Sequence, residues 1–82
     1  MSFFLAGGAV EILDASAWRC PLPLIRVKLW LKAAEAGQQL RLLLRDTGSR
    51  QDIPAYVSRM GHPIEVVADD GEMLILTITK AP

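Results

Sequence analysis

Two kinds of hydrophobic periodicity alternate along this chain, and their order leaves few folds open. Val10-Glu11-Ile12-Leu13 is short and partly alternating, as a strand is. The segment from Pro21 to Ala36 is rich in Leu, Ala and Lys and reads as a long helix, with Gly37 as its stop. Leu40-Arg41-Leu42-Leu43-Leu44-Arg45 returns to a period of two, placing Leu40, Leu42 and Leu44 on one face. A second helix follows, capped by Asp52 or Ser49, and Pro54 suits its first turn if Asp52 is the cap. Ile53, Tyr56, Val57 and Met60 recur at helical spacing as its buried stripe, and Gly61 ends it. Ile64 to Ala68 is a third strand. Asp69-Asp70-Gly71 is a hairpin signal, and Met73 to Lys80 is the fourth strand.

The order is therefore β-α-β-α-β-β. A strand, crossover helix and strand give parallel or mixed pairing, and the terminal hairpin is antiparallel. The expected fold is α+β: a two-layer sandwich with a four-stranded mixed sheet and two helices on one face. On the first helix Leu24, Val27, Leu31 and Ala34 form one arc and are the expected core face.

At 82 residues there is room for one core, expected over residues 10–82. Phe3-Phe4-Leu5-Ala6-Gly7-Gly8 is apolar but short, without a basic leader, so residues 1–9 read as a loose arm and not as a signal peptide. No stretch reaches the ~18 apolar residues of a membrane span. Nine basic and nine acidic residues balance, which argues against a protein that binds nucleic acid electrostatically. One cysteine and one histidine exclude a disulfide framework and a metal-ligand cluster. The chain suits a reducing cytoplasm.

The lone cysteine stands in Arg19-Cys20-Pro21-Leu22-Pro23, at the expected start of the first helix. Pro21 and Pro23 are pre-organised for a first turn, so the positive end of the helix dipole would face the sulfur. Helix N-termini and neighbouring cations lower cysteine pKa values, and Arg19, Arg26 and Lys28 are close in sequence. Against this stands the common fate of a free cysteine, as a small buried hydrophobe. A residue between arginine and proline at a strand-to-helix turn is expected nearer the surface.

Leu13-Asp14, Arg19-Cys20-Pro21-Leu22-Pro23, Asp46-Thr47-Gly48-Ser49, Asp52-Ile53-Pro54 and Gly61-His62 follow one another at short spacings. With these motifs the chain resembles the TusA/SirA/YedF family of small sulfur-carrier proteins from about Ile12 to Lys80. The resemblance implies the same β-α-β-α-β-β sandwich, similar to the C-terminal domain of a bacterial translation initiation factor. It implies that Cys20 accepts sulfane sulfur as a persulfide from a cysteine desulfurase or rhodanese-type donor and hands it to an acceptor protein, with Arg19, Pro21 and Pro23 shaping the site. Family destinations include tRNA thiolation, molybdenum-cofactor assembly and sulfur oxidation. No cofactor, no autonomous catalysis, no direct nucleic-acid or membrane contact, and a monomer are expected.

The physical demands agree. Sulfur transfer needs a thiolate that attacks a donor persulfide, then a persulfide open to attack in turn. With no second cysteine, nothing within the chain resolves the persulfide. The chain departs from the family pattern at three places. On the first helix Lys28 matches a basic pair, but Leu29 and Trp30 follow it. Leu22, Ile25, Leu29, Trp30 and Ala33 then make a second apolar face beside the sulfur. Leu22, Arg26, Lys28, Leu29 and Trp30 are accordingly candidate partner-docking residues, provided that Trp30 is not wholly buried. Trp18 replaces a leucine and is expected to pack under the cysteine turn. Asp46-Thr47-Gly48-Ser49 lacks the family's proline and reads as a turn. Arg50 reads as a solvated surface arginine and His62 as a turn residue. Two other functions remain open: a thiosulfate-type sulfurtransferase, and a redox-sensing or regulatory interaction module.

Overall fold

The computed structural model describes residues 10–82, so the arm expected over residues 1–9 lies outside the described residues. The elements are β1 (Val10–Asp14), α1 (Leu22–Ala33), β2 (Gln39–Leu44), α2 (Thr47–Arg59), β3 (Ile64–Asp69) and β4 (Leu74–Thr79). The sheet order is β1-β2-β4-β3. β1 pairs with β2 in parallel, and β4 runs antiparallel to both β2 and β3. β1, β2 and β3 therefore point the same way, and the connections leaving them gather at one end of the sheet.

Register and burial explain each other. Leu40, Leu42 and Leu44 stand opposite Ile78, Leu76 and Leu74. All six are buried, against Val27 and Leu31 of α1 and Ile53 and Val57 of α2. The intervening residues face away from the helices and pair Gln39 with Thr79, Arg41 with Thr77 and Leu43 with Ile75. This alternation is the period of two made physical: one face of the sheet is core, and the other, open face carries half-buried side chains and the buried Thr77 at its centre. Ile12, 71% exposed, lies on the open face.

Both helices depart from their expected limits. α1 ends at Ala33 and not at Ala36. Three helix-favouring residues yield because β2 must start at Gln39 opposite Thr79, which forces a turn over residues 35–38. The turn is fastened by Gln38 Oε1, which accepts from the Glu35 N–H at 2.7 Å, and by Gly37 N–H donating to Lys80 O at 2.8 Å. Gly37 has a φ of 91°, the left-handed value that glycine tolerates. Lys80 Nζ donates to Leu31 O at 2.5 Å and so satisfies a carbonyl in the last turn of α1. On the expected core face Val27 and Leu31 are buried, as is Pro23, whereas Leu24 and Ala34 are only half-buried.

α2 begins at Thr47, a full turn before the expected caps. Its cap is Asp46, and Asp46-Thr47-Gly48-Ser49, expected as a free turn, is that cap and the opening turn of the helix. Neither Asp52 nor Ser49 caps it, and Pro54 lies in its interior. The buried stripe is Ser49, Ile53 and Val57, with Tyr56 half-buried and Met60 55% exposed. The β3–β4 hairpin forms at the expected Asp70-Gly71 turn. Asp70 Oδ1 accepts there from the N–H groups of Glu72 and Met73 at 2.9 and 2.8 Å, and Gly71 takes a φ of 91°.

Candidate functional site

The thiol sits where β1 hands over to α1. Asp14 ends β1 and turns the chain: its Oδ1 accepts from Ser16 N–H at 3.0 Å and Ser16 Oγ at 2.6 Å. Ala15 N–H continues the ladder onto Leu43 O at 3.0 Å, and the Ala15 side chain is buried. Trp18 N–H then returns to Ala15 O, and Leu22 N–H to Arg19 O, both at 3.0 Å. Two successive tight turns carry Cys20 out of the core, and its side chain is exposed. The default of a buried structural cysteine does not apply.

α1 starts at Leu22, two residues past the sulfur, so Cys20 precedes the N-cap, which is Pro21. Pro21 caps through no side chain, since it has no acceptor to offer. Pro23 stands at the second helical position, where its missing N–H costs nothing. Its ring is buried and anchors this end of the helix.

A second helix also meets the sulfur. The β-carbon that Gly48 lacks would lie 3.7 Å from Cys20 Cβ and 4.0 Å from Cys20 Sγ, so the first turn of α2 runs alongside the thiol. The tie between the two helix starts is Asp46. Its Oδ2 accepts from Ser49 N–H and Ser49 Oγ, each at 3.0 Å, and from Cys20 N–H at 3.2 Å. The Ser49 amide and hydroxyl bonds hold the Asp46 carboxyl below its ordinary 3.8, with the Cys20 amide and the Arg19 charge acting the same way. Asp46 is therefore a carboxylate at every physiological pH.

Asp46 and Gly48 are absent from the residues that sequence reasoning nominated. The available signal was the stripe itself: extended one turn back from Ile53 it reaches Ser49, and an Asp three residues before Ser49 is an N-cap pattern. Arg19, Cys20, Pro21 and Leu22 are neighbours by sequence, and all four are exposed. The other nominated residues spread down α1. Leu22, Ile25 and Leu29 are 43%, 47% and 57% exposed, an apolar stripe leading away from the sulfur. Trp30 is half-buried, and its indole N–H donates to Glu11 Oε1 at 3.0 Å. With Ile12, Arg26 and Leu29 it lines a groove of about 290 Å³ between α1 and β1.

Two of the three nominated cations, Arg26 and Lys28, are held by aromatic faces. Arg26 lies over Trp18, 5.2 Å from the ring centroid, and Lys28 lies over Tyr56 at 4.9 Å. Trp18, expected under the cysteine turn, is half-buried and packs against the core. Arg50, expected as a solvated arginine, is instead a clamp on the β3–β4 hairpin. Its Nη1 donates to Gly71 O at 2.9 Å and its Nη2 pairs with Asp69 Oδ1 at 3.0 Å. It is held there because α2 starts early enough to bring residue 50 beside the hairpin. His62 is also engaged, its Nδ1 accepting from Ala81 N–H at 3.0 Å, which fastens the chain after β4 to the end of α2. Among the described residues no cluster of His, Cys, Asp and Glu has metal-binding geometry, and no helix is long and apolar enough to cross a membrane.

A mixed-sheet α+β sandwich that lifts one thiol out of its core, where two helices begin, defines a small domain that presents a single exposed sulfur. The chain belongs to the family described as Sulfurtransferase TusA, whose model matches residues 11–80. It is 35% identical to a protein of Allochromatium vinosum named sulfur carrier protein TusA, over 84% of this chain and 91% of that one. A protein of the same name from Pseudomonas putida is 29% identical, over 84% and 86% of the two chains. Among solved structures, a SirA-like protein from Desulfitobacterium hafniense superposes with a TM-score of 0.72 at 29% identity, covering 90% of this chain and all of the other. The fold read from periodicity is thus the fold of a solved relative.

Proposed function

We propose that this protein is a sulfur carrier that takes sulfane sulfur onto Cys20 as a persulfide and delivers it to an acceptor protein. The observation that carries the proposal is the placement of the chain's one thiol, exposed at the meeting of two helix starts. The names of the relatives support it. In the loading step the Cys20 thiolate attacks the outer sulfur of a donor persulfide. The Sγ–S bond forms as the donor's S–S bond breaks, and the donor cysteine leaves as a thiolate with the electron pair. Unloading is the same exchange with the acceptor thiolate as attacker. Neither step needs an oxidant, a metal or a cofactor.

The donor is a cysteine desulfurase or a rhodanese-type protein, and the chain works in the cytoplasm as a monomer that alternates between partners. Arg19 and Pro21 flank the sulfur, and Pro23 fixes the helix behind it. The exposed stripe of Leu22, Ile25 and Leu29, continued by Trp30, is the docking face. Arg26 and Lys28, resting on Trp18 and Tyr56, frame this face as ordered cations. Docking on it is apolar more than ionic, because three exposed aliphatic side chains outnumber the cations beside them.

Intact mass measurement after incubation with a cysteine desulfurase and free cysteine tests the proposal. The expected result is a gain of one sulfur atom, removed by reductant and absent from Cys20→Ala. An unmodified protein whose thiol still alkylates would refute this class of donor and favour a redox sensor. Turnover of thiosulfate with cyanide would favour the thiosulfate sulfurtransferase.

A further inference from the structure

We propose that Asp46 is the positioning residue of the sulfur site: one carboxylate oxygen fixes the backbone of Cys20 against the first turn of α2, and sulfur exchange depends on that bond. This inference rests on the carrier reading of Cys20. The geometry makes Asp46 more than a helix cap. An N-cap needs only its contact with the helix it starts, here Ser49 N–H at 3.0 Å. The same oxygen also reaches Cys20 N–H at 3.2 Å, on a segment 26 residues away in sequence.

Nothing else among the described hydrogen bonds holds the Cys20 backbone from outside its own turn. The residue is exposed, and Pro21 after it caps α1 through no side chain. Without Asp46 the two turns between Ala15 and Leu22 would keep their internal bonds at Trp18 and Leu22 but lose their tether to α2. At 3.2 Å the bond to Cys20 is the longest of the three that Oδ2 accepts, a geometric tether that depends on where the oxygen stands and that an amide oxygen in the same place also supplies. Sulfur transfer demands that three sulfurs align, the attacking thiolate, the sulfur in transit and the leaving thiolate, and misplacement of a reacting group by about 1 Å can cost on the order of a hundredfold in rate.

Three substitutions separate positioning from capping. Asp46→Asn can turn its one amide oxygen into the place of Oδ2, with the NH2 group taking the place of Oδ1. Asp46→Ser caps a helix well but is one bond too short to serve Cys20 as well. Asp46→Ala does neither. The expected result is that sulfur uptake from a cysteine desulfurase persulfide falls about tenfold in both Asp46→Ser and Asp46→Ala, and stays within about twofold of wild type in Asp46→Asn. Alkylation of Cys20 by iodoacetamide, a small free reagent that can align itself on the exposed thiol from many directions, stays within about twofold in all three. The thermal midpoint drops in Asp46→Ala and recovers in Asp46→Ser.

Asp46→Ser exchanging sulfur at the wild-type rate would overturn the inference and leave the carrier reading intact. If the wild-type protein takes no sulfur from the desulfurase, it is the carrier reading that has failed. The positioning role is then decided by hydrogen exchange at the Cys20 amide. That amide is expected to exchange faster in Asp46→Ser than in wild type and Asp46→Asn, and equal rates in all three would overturn it.

Discussion

Trp30, three-quarters of the way along α1, donates its indole N–H to Glu11 Oε1 on the edge strand β1 at 3.0 Å. The bond fixes a large aromatic ring at the rim of the α1–β1 groove, half in contact with the core and half open. An amphipathic ring held in that way suits a contact surface, since its orientation is settled before a partner arrives.

The two faces of α1 should therefore answer differently to substitution. Leu29→Asp alters an exposed side chain and is expected to change stability by no more than about 0.5 kcal/mol. It should slow sulfur uptake from a protein donor about tenfold, the range of an interface contact, without changing iodoacetamide alkylation of Cys20. Leu31→Ala, two residues on and 5% exposed, should cost about 2–4 kcal/mol and leave uptake by the folded fraction unchanged. Urea denaturation and donor-dependent mass shift, measured on the same samples, check both.

Cys20 should be dispensable for folding. Cys20 is exposed, so Cys20→Ala removes no packing and should shift stability by less than about 0.5 kcal/mol. A thermal midpoint that falls well beyond this range would return the residue to a structural role.

Acid should loosen the sulfur end of the sheet before the core. Asp14, Asp46 and Asp70 all have their carboxyls held below the ordinary 3.8, chiefly by hydrogen bonds from Ser16, from Ser49 and from Met73 with Glu72. A carboxyl with a lowered folded-state pKa contributes stability above the unfolded value and loses it as pH falls through the folded one. Stability should thus be level down to the ordinary 3.8 and decline below it. In Asp46→Asn the decline should be shallower, which urea midpoints measured across that range would register.

The hairpin clamp is open to a direct test. Arg50→Ala removes both the ion pair with Asp69 and the bond to Gly71 O. Because the Arg50 side chain is 22% exposed and that of Asp69 is 45%, the loss should be modest, about 1 kcal/mol. Hydrogen exchange should quicken at the amides of residues 70–73 while β2 keeps its protection.

The strands were legible to within a residue because burial on one face imposes the period of two directly. Leu40, Leu42 and Leu44 are as buried as their spacing says they must be. The helices were less legible, and for different reasons. At α1 the local preference of Ala34, Glu35 and Ala36 favours helix, but pairing of Gln39 with Thr79 decides the end, and no local pattern encodes a partner 40 residues away. At α2 the glycine in Asp46-Thr47-Gly48-Ser49 and the proline at position 54 both suggest a later start, yet the Asp46 cap and the buried Ser49 begin it earlier. The site followed the same division. Cys20 and its flanking prolines announce themselves in sequence, whereas Asp46 and Gly48 reach the sulfur only through the packing of α2 beside α1.

The bond between Cys20 and Asp46 also sets an order of events in the life of the chain. When residues 10–36 alone have been synthesised, every letter of Arg19-Cys20-Pro21-Leu22-Pro23 is present, but the oxygen that holds the cysteine is not. The thiol acquires its final place once β2 is laid beside β1 and Asp46 has opened α2. Transplanting the five-residue motif onto another helix would move the thiol and leave its seat behind.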